Sequence, residues 1–139
     1  MQRPRSGLIA LSIFFALGAV IAAVTAIALV ASGGPLEPIW RLNPQAHVAF
    51  LAIGPWAPVV MTGVATACGL SAIGLWIRAP WGHRLALVLL VVNLAGDATN
   101  AVVRRDLRTL IGLPIASALI FYLLSARVRG QFRTTDAAA

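Results

Sequence analysis

The chain has 139 residues, of which 60% are hydrophobic and only 11% are charged, whereas soluble domains average about 45–50% apolar and about 25% charged residues. This composition excludes an ordinary water-soluble domain and predicts a single membrane domain over residues 1–139. The net charge is +7, and every basic residue is an arginine. Because the arginines flank apolar blocks, they suit a lipid bilayer with anionic headgroups rather than nucleic acid, which we do not expect as a partner.

The first apolar block predicts a transmembrane helix over residues 8–32. It carries no charge from Leu8 to Ala31, and about 20 apolar residues suffice to cross a bilayer. A secretory signal peptide with a cleavage site at Ala26-Ile-Ala28 is the alternative. Since signal peptides have apolar cores of only about 7–15 residues, we predict an uncleaved span.

The second block combines an interfacial segment, residues 35–55, with a span over residues 56–77. Its first part, 35–47, holds three prolines and is predicted to be an interfacial loop that leaves room for one short helical turn, while Pro44 is suited to the start of the next helix. The run from Gly54 to Pro58 predicts a break before the span. One long helix, kinked at its prolines, is the alternative.

The remaining blocks predict spans over residues 85–103 and 109–126. A tight basic turn, 78–84, precedes the third span, and an arginine-rich loop separates it from the fourth. The tail, 127–139, is polar and is predicted to be loosely ordered.

Four spans with short loops predict an all-α integral membrane protein, folded as an up-down four-helix bundle. Both termini then lie on one side, and the positive-inside rule makes that side cytoplasmic, because more arginines fall there. The protein is therefore predicted to be a multi-pass protein of the inner (plasma) membrane. The arginines on the proposed cytoplasmic side are Arg3, Arg5, Arg78, Arg84, Arg127, Arg129 and Arg133; those on the other side are Arg41, Arg104, Arg105 and Arg108.

Asp97 is the single acid within the predicted spans, and it belongs to a polar stripe. Asn93, Asp97, Asn100 and Arg104 follow one another at spacings of four, three and four, which places them on one helix face. Two hypotheses stay open. Asp97 either titrates or binds a cation, as intramembrane acids do in transporters, or it is a structural staple held by the asparagines or by nearby hydroxyls. The candidate hydroxyls are those of Ser12, Thr25, Thr62, Thr66, Thr99 and Ser117.

Small residues recur at four-residue spacing, as at Gly18, Ala22 and Ala26. Such stripes let helices approach closely, either within one bundle or between copies in a homo-oligomer.

No residue pattern indicates an enzyme. His47 and His83 are predicted on opposite membrane faces, so they would not share a metal or haem. No serine has a histidine and an acid in reach for a hydrolase triad. We therefore predict no catalytic residue, no metal site and no cofactor.

The stretch Gly74-Leu-Trp-Ile-Arg-Ala-Pro-Trp-Gly-His-Arg-Leu-Ala-Leu87 resembles a pattern of small bacterial four-span integral membrane proteins of unknown function. Asn43-Pro44 with His47, and the last block from Leu110 to Pro114 with Tyr122-Leu123, are similar as well. The resemblance implies the four-span fold, and it brings no assigned activity with it.

The expected function is therefore non-enzymatic. We predict an accessory or scaffold subunit that contacts a membrane protein partner, or a second copy of itself, through its helices. The alternative is a small oligomeric transporter or channel in which Asp97 couples to a proton or cation.

Overall fold

The computed structural model describes residues 4–31, 33–104 and 111–133, and within these ranges all regular secondary structure is helical. The all-α class is therefore confirmed for the described chain. The helices are α1 (Pro4–Val30), α2 (Glu37–Leu42), α3 (Pro44–Ile53), α4 (Trp56–Trp76), α5 (Pro80–Arg104), α6 (Gly112–Leu124) and α7 (Ala126–Arg133).

Two helices of the described chain are long and apolar enough to cross a membrane. The stretch Ser6–Val30 of α1 has a mean hydropathy of 2.7, and Trp56–Trp76, which is α4, has 1.7. At 1.5 Å per residue both exceed the roughly 30 Å of a bilayer's hydrocarbon core. Only 22% of each apolar stretch is buried within the protein, and the outward positions include Ile21 and Val59. These helices point to a membrane location.

The predicted third and fourth spans correspond to α5 and α6, which are respectively less apolar and shorter than α1 and α4. α5 has 25 residues, which is long enough to cross, but Asn93, Asp97 and Thr99 interrupt its apolar character. α6 has 13 residues and a strongly apolar composition, so it measures only about 20 Å. Residues 109 and 110, where the fourth span was predicted to begin, lie outside the described residues.

The predicted break before the second span is present. α3 ends at Ile53 and α4 begins at Trp56, so one long kinked helix is wrong. Gly54 has φ +67, a backbone region that residues with a Cβ seldom adopt, and Pro55 then removes a helical hydrogen-bond donor.

The segment 35–47 is more helical than predicted, because α2 covers Glu37–Leu42. An aromatic cluster joins it to α3: the buried Trp40 ring stacks on His47 with centroids 4.5 Å apart and meets Phe50 edge-on at 6.2 Å. Pro44 does open α3, and Asn43 caps it by accepting a hydrogen bond from the Ala46 backbone N–H at 3.1 Å.

The chain forms two compact units. The first unit comprises Met1–Phe14 and Leu70–Ala139, and the second comprises Phe15–Gly69. Both boundaries fall inside long helices, so α1 and α4 each contribute residues to both units.

In the first unit, the start of α1 lies against the ends of α4 and α6. The Tyr122 hydroxyl of α6 occupies the space into which a side chain on Gly7 would project. The buried Ser12 hydroxyl donates a hydrogen bond to the Ala72 carbonyl of α4 at 2.7 Å. These contacts need a small residue at position 7 and a donor at position 12.

α4 and α5 approach each other with their backbones in contact beside the turn that joins them. A Cβ on Gly74 would lie 2.5 Å from the Gly82 Cα, so neither position tolerates a side chain. The turn between them closes when the Ala79 N–H donates to the Gly74 carbonyl at 2.8 Å. Arg78 adopts φ +57 there, in the left-handed conformation that usually falls to glycine after a helix.

The tail is not loosely ordered as far as Arg133, which corrects the sequence prediction. α7 buries Val128 and Phe132, four residues apart on one face, to 2% and 5% exposure. The Phe132 ring lies 4.8 Å from the His83 ring of α5. Residues 134–139 lie outside the described residues.

The second unit contains the contact between α1 and α4. A Cβ on Gly18 would meet the Cys68 sulfur at 3.8 Å, and one on Gly69 would meet the Ala19 Cβ at 4.0 Å. Ala22 and Ala26 are buried as well. The small-residue stripe of α1 thus serves packing within the chain.

Candidate functional site

The polar stripe predicted around Asp97 lies on one continuous helix. Positions 93, 97, 100 and 104 all belong to α5, with Asn93 exposed and Asp97 half-buried. The side chains of Asn100 and Arg104 lie outside what the structure describes. That the four residues share one helix face is therefore inferred from their backbone positions on α5. The candidate site comprises the surroundings of Asp97.

The Asp97 carboxylate packs against the start of α6. A Cβ built on Gly112 would lie 2.9 Å from Asp97 Oδ2 and 3.8 Å from its Cγ. Gly112 is the first residue of α6, and the residue before it, Ile111, makes no side-chain cap. The carboxylate can approach the α6 backbone this closely because Gly112 has no side chain.

The start of a helix is favourable for a carboxylate. The first four backbone N–H groups have no partner within the helix, and the aligned peptide dipoles give that end a partial positive charge. An acid in the first turn contributes about 0.3–1 kcal/mol, and up to about 2 kcal/mol where it is partly buried. Asp97 of α5 therefore lies where such an interaction with α6 is possible.

Most hydroxyls suggested as partners for Asp97 bond elsewhere. Thr99 donates to the Ala95 carbonyl one turn back on α5. Thr25, Thr62 and Thr66 likewise donate to carbonyls four residues earlier on their own helices, and Ser12 donates to α4. Gly112 was not predicted from the sequence as the neighbour of Asp97.

The two histidines make structural contacts. His83 Nε2 lies 2.8 Å from the Leu123 carbonyl oxygen, one of the carbonyls that the last turn of α6 leaves without a helical donor. His47 stacks on Trp40 in the second unit. Among the described residues no group of three or more His, Cys, Asp or Glu side chains could hold a metal ion.

An apolar groove of about 530 Å³ lies between α1 and α4 within the second unit. Its polar side chains, Thr62 and Thr66, direct their hydroxyls to carbonyls of their own helix. The groove is therefore mainly an alanine-lined surface. Its lining residues are Ala19, Val20, Ala23, Ala26, Ile27, Thr62, Ala65 and Thr66.

Comparison with protein-family models, with curated proteins and with solved structures finds no match to this chain.

Proposed function

We propose that this protein is a non-enzymatic accessory or scaffold subunit of a membrane, in which Asp97 is a structural residue that packs α5 against α6. The observation that carries the proposal is the packing of the Asp97 carboxylate against Gly112 at the start of α6. A carboxylate packed beside the start of a helix can interact favourably with the helix dipole. A side chain fixed by close packing between two helices suits a structural role.

The proposed architecture is a four-span up-down bundle. It is supported by contacts in the first unit, which join the starts of α1 and α5 to the ends of α4 and α6. Helices that run alternately up and down bring these ends together. The contacts are Gly7 with Tyr122, Ser12 with Ala72, Gly74 with Gly82, and His83 with Leu123. The apolar length of Ser6–Val30, 25 residues, supports α1 as an uncleaved span, because signal peptides have apolar cores of only about 7–15 residues.

The proposed location is the inner (plasma) membrane of a bacterium, with both termini cytoplasmic. The excess of arginines on the side of residues 78–84 and 127–133 supports this orientation. The resemblance of residues 74–87 to small bacterial four-span proteins supports the same arrangement, and Gly74 and Gly82 of that pattern are the residues on which the α4–α5 contact depends.

The scaffold role is tested by purifying the full-length protein in mild detergent and determining the mass of the complex and the identity of its components. We expect a stoichiometric complex with a membrane protein, or a homo-oligomer. A monomer without a protein partner, at the concentrations at which the protein occurs in its membrane, would contradict the proposal.

A small transporter or channel is the second candidate, because Asp97 is a half-buried acid in a largely apolar helix and such acids mark ion pathways. Proton and cation flux into liposomes distinguishes the two functions. The transporter requires flux by the parent protein that Asp97→Asn abolishes and Asn93→Ala, one helical turn away, leaves intact. The scaffold function requires that neither variant nor parent exceed protein-free liposomes.

A further inference from the structure

α7 folds back onto the end of the first unit at which α5 begins and α6 ends. Its buried residues, Val128 and Phe132, face this end, and the Phe132 ring contacts the His83 ring at 4.8 Å. His83 also reaches the Leu123 carbonyl at the end of α6. His83 thus contacts both α6 and α7 from α5. These contacts position α7 with its exposed face turned away from α5 and α6.

This docking collects arginines at one end of the first unit. Arg127 and Arg129 flank the buried Val128 and are both exposed. Arg84 follows His83 and is exposed, while Arg78 is half-buried in the turn before α5. We call these four residues the arginine surface.

The arginine surface has no acid beside it within the described chain. The described acid of the first unit, Asp97, lies 13 residues from Arg84 along α5, which is about 20 Å. The other described acid, Glu37, belongs to the second unit. The exposed guanidinium groups of Arg84, Arg127 and Arg129 are accessible to an anion.

We propose that the arginine surface binds the phosphates of anionic phospholipids, with α7 lying in the headgroup layer. This inference rests on the proposed membrane location. A guanidinium group holds a phosphate through two parallel hydrogen bonds, and short arginine clusters beside apolar helices are attracted to anionic leaflets. Because α7 buries its apolar face against α5 and α6, it contributes charge to the membrane surface rather than inserting into it.

The test measures phosphatidylglycerol and phosphatidylcholine binding to the full-length protein in mild detergent by native mass spectrometry. We expect the parent protein to retain phosphatidylglycerol more strongly than phosphatidylcholine by a factor on the order of a hundred or more, since each contributing arginine adds about fivefold. Arg127→Gln with Arg129→Gln should lower that preference by about fivefold per arginine removed, and Arg84→Gln by about fivefold. Arg41→Gln is the matched control, because Arg41 is an exposed arginine of the second unit, and it should change nothing.

Three results would overturn the inference. The first is equal binding of the two lipids by the parent protein, and the second is an equal loss in the Arg41→Gln control. The third is stronger displacement of phosphatidylglycerol by inorganic phosphate or duplex DNA than by further phosphatidylglycerol. Since Arg84 lies outside α7, its variant remains informative if the double variant unfolds α7.

Failure of this inference is distinguishable from failure of the proposed membrane location. A protein that alkaline carbonate extracts from membranes would contradict both. A protein that resists extraction but shows no preference for phosphatidylglycerol would contradict the arginine surface alone.

Discussion

At the scale of single residues, the contact between Asp97 and Gly112 is the most specific feature of the first unit. The 2.9 Å between Oδ2 and a Cβ at position 112 is too short for a real side chain. Gly112→Ala should therefore displace the carboxylate, and because Oδ2 is the end of a side chain that can turn away, we expect the free energy of unfolding to fall by no more than about 1 kcal/mol, the low end of the range for overpacking. Thermal unfolding in detergent measures the change.

The matched control for that variant is Gly96→Ala. Gly96 lies on α5 beside Asp97, but no atom lies within 4 Å of a Cβ placed there. This control should be neutral or slightly stabilising, since alanine favours helix more than glycine does. In the double variant Gly112→Ala with Asp97→Ala the crowding disappears, so the two effects should not add. Additive losses would contradict the contact.

His83 provides a second prediction at this scale. His83→Phe keeps an aromatic ring beside Phe132 but removes the hydrogen bond to Leu123. We expect a loss of about 1–3 kcal/mol, the effect of leaving a partly buried carbonyl without a donor. His83→Ala, which also removes the ring contact, should be less stable still in the same unfolding measurement. Equal stability of the two variants would contradict a separate contribution from the ring.

At the scale of elements, α7 depends on its two buried residues. Phe132→Ala removes one of them, and large-to-small changes of a buried phenylalanine lose about 3–5 kcal/mol. A helix of eight residues has little stability without packing, so we expect α7 to detach while the rest of the chain stays folded. Hydrogen exchange should then accelerate over 126–133 and remain slow in α5. Gly130→Ala, whose added Cβ would meet no atom within 4 Å, is the control that should leave exchange unchanged.

The elements also differ in how well the sequence predicts them. The long apolar runs of α1 and α4 and the break at Gly54 follow from composition and from local backbone preference. α7 was missed because its arginines dominate the composition, although Val128 and Phe132 stand four residues apart, as on an amphipathic helix. The Asp97–Gly112 contact could not be predicted, because it depends on how α5 and α6 pair, which no local pattern encodes.

At the scale of the whole molecule, the four-span proposal makes a topological prediction. Single cysteines introduced in a Cys68→Ala background report which side of the membrane each connection faces. Cysteines at Ala79 and Gly130 should react with an impermeant thiol reagent from the cytoplasmic side, and one at Asn43 should react from the opposite side. Labelling of positions 43 and 79 from the same side would contradict the up-down arrangement.

The central claim is that Asp97 is a structural residue that packs α5 against α6, and Asp97→Asn tests it most directly. Asparagine keeps the shape of the side chain beside Gly112 and removes the acidic group that is favourable at the start of a helix. The measurement is thermal unfolding of the parent protein and of the variant in the same detergent, followed by proton flux in liposomes. The account predicts a lower unfolding temperature for the variant and no flux above protein-free liposomes for either protein. Unchanged stability, together with flux by the parent protein that the variant loses, would contradict it.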